Sequence, residues 1–275
     1  MMTNSKIKVL LALIVLGGLL TFSACDENNK FIPLFSIQDD KDLGKQVSDE
    51  IAADPATYPI LDRAGYVDAY AYLDGMVNEI LNNGDVTYRD EFVWDVHIIH
   101  DDEVLNAFAT PGGYIYVYTG LIKYLDEADD LAGVLGHEIA HADLRHTSSN
   151  LQKQYGIQVL LSILLGQDAG QLTKIAGQVA GTVAGLSFSR EFEAEADDRA
   201  VEYNAKTKYA CDGVKNFFQK LEDEGAAGGT PEFLSTHPSP ETRVADITAK
   251  ATELGCDTSL SGDTGYETFK ANLPE

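Results

Sequence analysis

The sequence predicts an α+β fold that is mostly helical, with a small β-sheet near its middle. Apolar residues recur at helical spacing in both halves of the chain, and two short runs rich in β-branched and aromatic residues lie between them. With 275 residues, 44% of them hydrophobic, the chain is long and apolar enough to enclose a core. We therefore expect helices packed around a small central sheet.

The first half is predicted to hold two helices followed by two strands. Residues 40–53 place Leu43, Val47 and Ile51 four apart, which is the repeat of one helical face. A second helix with a similar apolar stripe is predicted at 63–81. The two strands and the turn between them are predicted at 92–99, Tyr114–Tyr118 and Pro111–Gly113.

The second half is predicted to be helical. A long helix at 126–154 begins with Asp129 and Asp130, whose charges favour the positive end of the helix dipole. The apolar stretch 157–165 is too short to cross a membrane and predicts a core or interfacial helix. Residues 258–275 are polar and are predicted to be peripheral. Further helices are predicted at 172–186, 190–205, 214–224 and 241–254.

The N-terminus has the parts of a secretory signal. Lys6 and Lys8 precede a short apolar run at 9–20. Phe22-Ser23-Ala24-Cys25 then resembles a bacterial lipobox, with Phe where Leu is usual, which implies cleavage before Cys25 and lipidation of Cys25. An uncleaved anchor helix is the alternative. We thus predict a lipoprotein signal peptide at 1–24, the lipidated cysteine and a linker at 25–40, and a single folded domain at 41–257.

The chain is strongly acidic, with a formal net charge of −24. This charge argues against nucleic acid as a partner, because phosphates would be repelled. It also argues against binding anionic lipid through a basic patch. Solubility alone explains the acidity, so no partner is assigned from charge.

The cysteine count predicts one disulfide. Once Cys25 is lipidated, Cys211 and Cys256 remain, an even number in an oxidising compartment. A bridge between these two cysteines is the expected arrangement, and two buried thiols are the alternative.

The chemistry is concentrated in His137-Glu138-Ile139-Ala140-His141, which fits the pattern H-E-x-x-H. Four residues turn a helix by about 400°, so both imidazoles project from one face and can bind one Zn²⁺. Glu138 lies about 100° from His137, where its carboxylate can take a proton from water. The alternative is a pair of structural histidines on a helix.

A catalytic zinc needs a third protein ligand. A third histidine six residues after His141 is one known solution, but Thr147 occupies that position. His146 is one residue away and would lie about 140° around the helix from His141, either behind the site or exposed. A later acidic stretch offers Glu193 and Asp197, which are four apart. Glu193 could bind zinc while Asp197 accepts a ligand histidine's ring N–H, or both could belong to a solvated face.

Five ordered motifs resemble the HtpX-like and CAAX-prenyl-protease-like family of gluzincin zinc metallopeptidases, over about residues 43–254. The resemblance implies a zincin-type domain with one Zn²⁺ per chain, bound by His137, His141 and Glu193. It implies that Glu138 is the general base and that Asp197 orients a ligand. The motifs are Asn106 to Ala109, Pro111 to Gly113, His137 to His141, Ser189-Arg190 with Glu193 to Asp197, and His237-Pro238 with Arg243.

The resemblance also assigns roles outside the metal ligands. Asn106, Ala107, Phe108 and Ala109 would border the cleft and pair with an extended substrate by strand addition; an ordinary core strand end is the alternative. His237 would sit over the metal as a gate, either capping it or facing the substrate carbonyl with Arg243 nearby. A simple loop histidine is the alternative there.

The site predicts zinc-dependent endopeptidase action, and the family resemblance implies unfolded or misassembled cell-envelope proteins as its substrates. The closest architecture is the soluble periplasmic lipoprotein branch, held to a membrane by its N-terminal lipid. Two other classes stay open: a chaperone-like binding lipoprotein whose zinc is silenced by His237, and a structural zinc domain. The intact Glu138 argues against both. The substrate, the oligomeric state and the choice of membrane are not assigned.

Overall fold

The computed structural model describes residues 34–165, 169–224, 232–238 and 242–275. The predicted signal peptide, Cys25 and most of the predicted linker lie outside these residues. No helix in the described part combines the length and the apolar character that a membrane crossing requires.

The described residues form helices around a small sheet, which confirms the predicted α+β class. Strands lie at β1 (Asp95–Ile99), β2 (Ala107–Ala109) and β3 (Tyr114–Tyr118). Helices lie at α1 (Ile37–Ala53), α2 (Val67–Asn83), α3 (Thr119–Tyr124), α4 (Ala128–Asp143), α5 (His146–Tyr155), α6 (Ile157–Leu164), α7 (Ala169–Ala184), α8 (Arg190–Asn204), α9 (Val214–Glu224), α10 (Glu232–Thr236), α11 (Arg243–Leu254) and α12 (Gly265–Ala271).

The sheet is mixed, with strand order β1-β3-β2. β1 runs parallel to β3 from Asp95 opposite Tyr114 to Ile99 opposite Tyr118. β2 runs antiparallel to β3, with Phe108 opposite Tyr116. Within the described residues β2 is therefore an edge strand.

β3 separates two hydrophobic clusters because its side chains alternate between the faces of the sheet. Ile115 and Val117 face the larger cluster, which includes α2 and the apolar side of α4. Tyr114, Tyr116 and Tyr118 face the smaller cluster, which includes residues of α1, α5 and α7. The alternating Tyr-Ile-Tyr-Val-Tyr sequence thus places the sheet between two helical layers.

Helix α4, which carries His137 to His141, is buried along all 16 of its residues. Glu127 and Asp130 form a capping box at its start. Neighbouring helices approach this helix closely at two glycines: a Cβ added to Gly133 would lie 2.1 Å from the Val214 backbone nitrogen, and one on Gly136 would lie 2.6 Å from Nδ2 of Asn204. The two glycines therefore let α9 and α8 approach the helix that bears the motif.

The predicted single helix at 126–154 is wrong, because the chain breaks after α4. Arg145 adopts the left-handed conformation, with φ 59° and ψ 31°, and α5 begins at the next residue. This conformation costs a non-glycine residue roughly 1–2 kcal/mol. The Arg145 guanidinium donates to Asp40 Oδ2 and to the Phe35 carbonyl oxygen, each at 2.5 Å. These contacts with the beginning of α1 and the residues before it hold the break in place.

The prediction of a peripheral tail at 258–275 is also wrong. Tyr266 and Phe269 on α12 and the following Leu273 are buried in the larger cluster, and the Tyr266 hydroxyl donates to the Ile122 carbonyl oxygen at 2.7 Å. The i, i+3, i+7 spacing of these three residues turns one apolar face toward the core.

The structure joins Cys211 and Cys256 in a disulfide, with Cα atoms 6.3 Å apart. Cys211 lies just before α9 and Cys256 just after α11. The bridge therefore ties together the entrance and exit of two helices that pack near the motif.

Candidate metal centre

His137 and His141 lie one turn apart on α4 and point the same way. Their Nε2 atoms are 3.0 Å apart, and both side chains are fully buried. Two ligand atoms of a tetrahedral zinc stand roughly 3.3 Å apart. The spacing that the H-E-x-x-H pattern predicts is therefore present in three dimensions.

Glu193 reaches the same point from α8. Its Oε2 lies 3.5 Å from His137 Nε2, and its Oε1 lies 3.5 Å from His141 Nε2. Ser189 caps the start of α8, its hydroxyl accepting from the Phe192 N–H at 3.3 Å. The cap places Glu193 in the first turn of the helix, against the two histidines.

His237, just after α10, completes the group. One ligand atom from each of His137, His141, Glu193 and His237 can be chosen so that all lie within 4.8 Å of one another. His237 Nε2 is 3.4 Å from Glu138 Oε1. On the other side of the ring, Nδ1 is 2.8 Å from the Thr236 hydroxyl, and the ring stacks on Phe233 at a centroid distance of 4.2 Å. His237 therefore faces both the ligand cluster and Glu138.

Asp197 and Arg243 support the ligands from behind. Asp197 Oδ1 accepts from His137 Nδ1 at 2.9 Å. Arg243 donates to both oxygens of Asp197, at 2.7 and 2.5 Å, and its Nη1 lies 3.0 Å from Glu193 Oε2. The guanidinium is thus engaged with the two carboxylates.

Burial and charge perturb the acid–base properties of the site. Burial raises the pKa of Glu138 to about 8 and lowers the pKa of His237 to about 3. Burial also opposes the charge on His137, but hydrogen bonds with Asp197 and Glu193 raise its pKa to about 9. The pKa of Glu193 is held well below its usual range, against burial, by His237, His137 and His141.

The inward-facing atoms have the chemistry of a zinc site. Within the described residues, neither Oε1 of Glu193 nor Nε2 of His237 has a hydrogen-bond partner. Buried polar atoms without partners are rare in folded proteins. Imidazole nitrogens and a carboxylate converging on one point are a donor set that Zn²⁺ prefers, so these residues fit the metal.

The predicted substrate strand lies beside this centre. Residues 106–109 are all buried, and Phe108 stacks on Tyr116 at 4.8 Å. The Thr236 hydroxyl is 3.5 Å from Asn106 Oδ1, so the start of this strand touches the residue that precedes His237. The edge of β2 and the metal centre are therefore neighbours.

Several site residues were not predicted from the sequence, and His146 was predicted only as one of two alternatives. His146 is buried, with its Nδ1 3.1 Å from His141 Nδ1, although spacing alone left it either behind the site or exposed. Phe188 stacks on His141 at 3.9 Å. Thr236 and Phe233 fix the His237 ring. The only sequence feature that singles out Phe188 is its position shortly before the acidic helix α8, and this feature is weak evidence for a place in the site.

A motif helix joined by a glutamate from a later helix is the arrangement of gluzincin metallopeptidases, and the fold and donor set here are of that class. The sequence model of peptidase family M48 matches residues 68–251. The match covers more than half of the chain, and the chain belongs to this family.

Curated relatives agree with the assignment. The beta-barrel assembly-enhancing protease of Yersinia pestis is 31% identical over 193 residues, 66% of this chain and 39% of that protein. The same-named protein of Escherichia coli K12 is 33% identical over 57% of this chain and 34% of its own length. The mitochondrial metalloendopeptidase OMA1 of Danio rerio is 31% identical over 60% and 37%. The chain thus spans well under half the length of these relatives.

Proposed function

We propose that this protein is a zinc-dependent metalloendopeptidase. The observation that carries the proposal is the convergence of His137, His141 and Glu193 on one buried point, with Glu138 beside them. His137 and His141 would hold one Zn²⁺ through Nε2, and Glu193 would supply the third ligand. Membership of peptidase family M48 supports the same activity.

Glu138 is the general base in this proposal. When bound, the zinc would polarise the scissile carbonyl and make water a stronger acid. Glu138, on the same face of the cluster, takes the proton of the attacking water and passes it to the leaving amine. Asp197 keeps the His137 ring in the tautomer whose Nε2 lone pair faces the cluster. Arg243 holds Asp197 and Glu193 in position.

The substrates in this proposal are unfolded or misassembled cell-envelope proteins. The edge of β2 could take an extended chain by strand addition once residues 106–109, which are buried in this arrangement, are uncovered. Folded proteins rarely present such a chain, so the geometry favours unfolded ones. The relatives' names, which refer to β-barrel assembly and to proteolysis, support a substrate that is still assembling.

Metal removal tests the activity. We expect the full-length protein, purified in detergent, to carry one zinc per chain and to degrade an unfolded protein such as reduced, alkylated casein. Stripping the metal with a chelator should abolish cleavage, and stoichiometric Zn²⁺ should restore it. Cleavage that persists without bound metal would contradict the proposal.

His237 is proposed as the gate of the site. Its Nε2 lies with the ligand atoms and 3.4 Å from Glu138, so in this arrangement it competes with water and substrate. We expect His237→Ala to increase peptidase activity by more than any surface substitution. His97→Ala, which removes a partly buried histidine from β1, is the matched control. Equal activities of the wild type and the two variants would argue for an ordinary loop histidine.

The location proposed is the bacterial cell envelope, with a lipid on Cys25 as the membrane anchor and the periplasmic face as the most natural side. The rival chaperone-like lipoprotein is not favoured, because the base Glu138 is intact and the family is one of peptidases. Metabolic labelling with a palmitate analogue in wild type and Cys25→Ala protein tests the anchor.

A further inference from the structure

His146 lies directly behind His141, on the side away from the ligand atoms. Nδ1 of His146 is 3.1 Å from Nδ1 of His141, whereas Nε2 of His141 faces His137 and Glu193. The His146 side chain is 2% exposed. The contact therefore involves only the nitrogen of His141 that would not bind a metal.

The break after α4 creates this contact. On a continuous helix, His146 would lie about 140° around the axis from His141. The left-handed Arg145 turns the chain instead, and the buried Asp40 holds Arg145 there. The fold thus keeps an unfavourable backbone conformation at the one position that returns His146 to His141.

The two rings can share only one proton between their Nδ1 atoms. If His141 binds metal through Nε2, its Nδ1 carries the proton and donates it. Nδ1 of His146 must then accept, which leaves the His146 proton on Nε2. That atom lies 3.5 Å from Oε2 of Glu195, whose side chain is 33% exposed. The Nδ1–H of His141 therefore points to His146, and the Nε2–H of His146 points to Glu195.

Aromatic stacking holds both rings in the planes that the hydrogen bond needs. Phe192 stacks on His146 with centroids 4.1 Å apart and planes 9° apart. Phe188 stacks on His141 with centroids 3.9 Å apart and planes 27° apart. With ring rotation restricted, the Nδ1 atoms stay aligned.

We propose that His146 is a positioning residue for the metal centre: it fixes the tautomer and the ring orientation of His141, and Glu195 orients His146 in turn. The inference rests on the zinc role proposed above for His141. The two ligand histidines then differ in their supports. His137 is backed by the carboxylate of Asp197 and His141 by a neutral imidazole, which adds no negative charge to a site that already holds three buried carboxylates.

Zinc affinity, measured by chelator competition on the full-length protein, tests the role. His146→Phe keeps the stacked ring but removes the acceptor, and we expect zinc to bind about 10–100-fold more weakly. His146→Asn offers Oδ1 as an acceptor near the position of Nδ1, so it should recover most of the loss. The visible absorption of the cobalt-substituted protein should change in the Phe variant and not in the Asn variant.

His97→Phe is the matched control, since it makes the same substitution on β1, which β3 separates from β2. Wild-type affinity in His146→Phe, or equal losses in the Phe and Asn variants, would overturn the inference. A wild-type protein that binds no zinc would overturn the proposed function as well, so the two failures are distinguishable. Should His146→Phe not fold, Glu195→Ala gives the second test: we expect weaker zinc binding, and unchanged binding would overturn the role of the pair.

Discussion

Glu138→Gln is expected to lower kcat by about 10²- to 10⁴-fold while leaving zinc in place. The amide matches the carboxylate in shape, so the fully buried position stays filled, but it cannot take a proton from water. Zinc should remain because His137, His141 and Glu193 are unchanged. The measurement is kcat on an unfolded protein together with elemental analysis of zinc in the same samples.

The control for this prediction is Glu191→Gln, the same change at an exposed position on the same helix as Glu193. It should leave both kcat and zinc content at wild-type values. A Glu138→Gln protein that cleaves normally would show that another group is the base. Loss of zinc in that variant would instead make Glu138 a ligand.

Arg243→Leu is expected to destabilise the metal-free protein by about 3–5 kcal/mol, because it leaves buried carboxylates without their cation. Arg243 is 2% exposed, forms two hydrogen bonds with Asp197 and lies 3.0 Å from Glu193. Bound zinc would offset part of this unpaired negative charge, so the zinc-loaded protein should lose less stability. Urea unfolding of both forms gives the two free energies of unfolding.

Arg199→Leu provides the comparison, since Arg199 pairs with Glu202 at 2.7 Å but its side chain is 34% exposed. An exposed pair contributes about 0–1 kcal/mol, so this variant should be nearly as stable as the wild type. Similar losses in the two variants, or a greater loss in the zinc-loaded form of Arg243→Leu, would contradict the role given to Arg243.

Local patterns predicted the elements whose side chains alternate or repeat without interruption. The strand Tyr114–Tyr118 and the helix Val214–Glu224 have the predicted bounds. The predicted strand at 92–99 begins only at Asp95, because Trp94 has a φ of 49° and its indole N–H donates to the Arg89 carbonyl oxygen at 3.0 Å. Phe92 and Trp94 thus pack within a loop. Residues with high β-propensity can pack in this way without forming a strand, so propensity alone does not separate the two cases.

In the metal centre, too, contacts between residues close in sequence could be predicted and contacts between distant residues could not. The i, i+4 spacing is enough to bring His137 and His141 together, and the four-residue spacing of Glu193 and Asp197 gives them one helix face. His146 could not be placed, since its position depends on Asp40, 105 residues before Arg145. Arg243 reaches Asp197 across 46 residues, and only the family resemblance indicated a position near the site.

Burial of the site limits how a polypeptide can reach it, because His137, Glu138, His141 and His237 are all completely buried. A polypeptide cannot reach Glu138 until part of the surrounding wall moves, and His237 follows a five-residue helix, not a long packed one. If the proposed function holds, the described state is latent and the frequency of opening sets an upper limit on turnover. On the function proposed above, such an opening would admit an extended chain more readily than a folded protein.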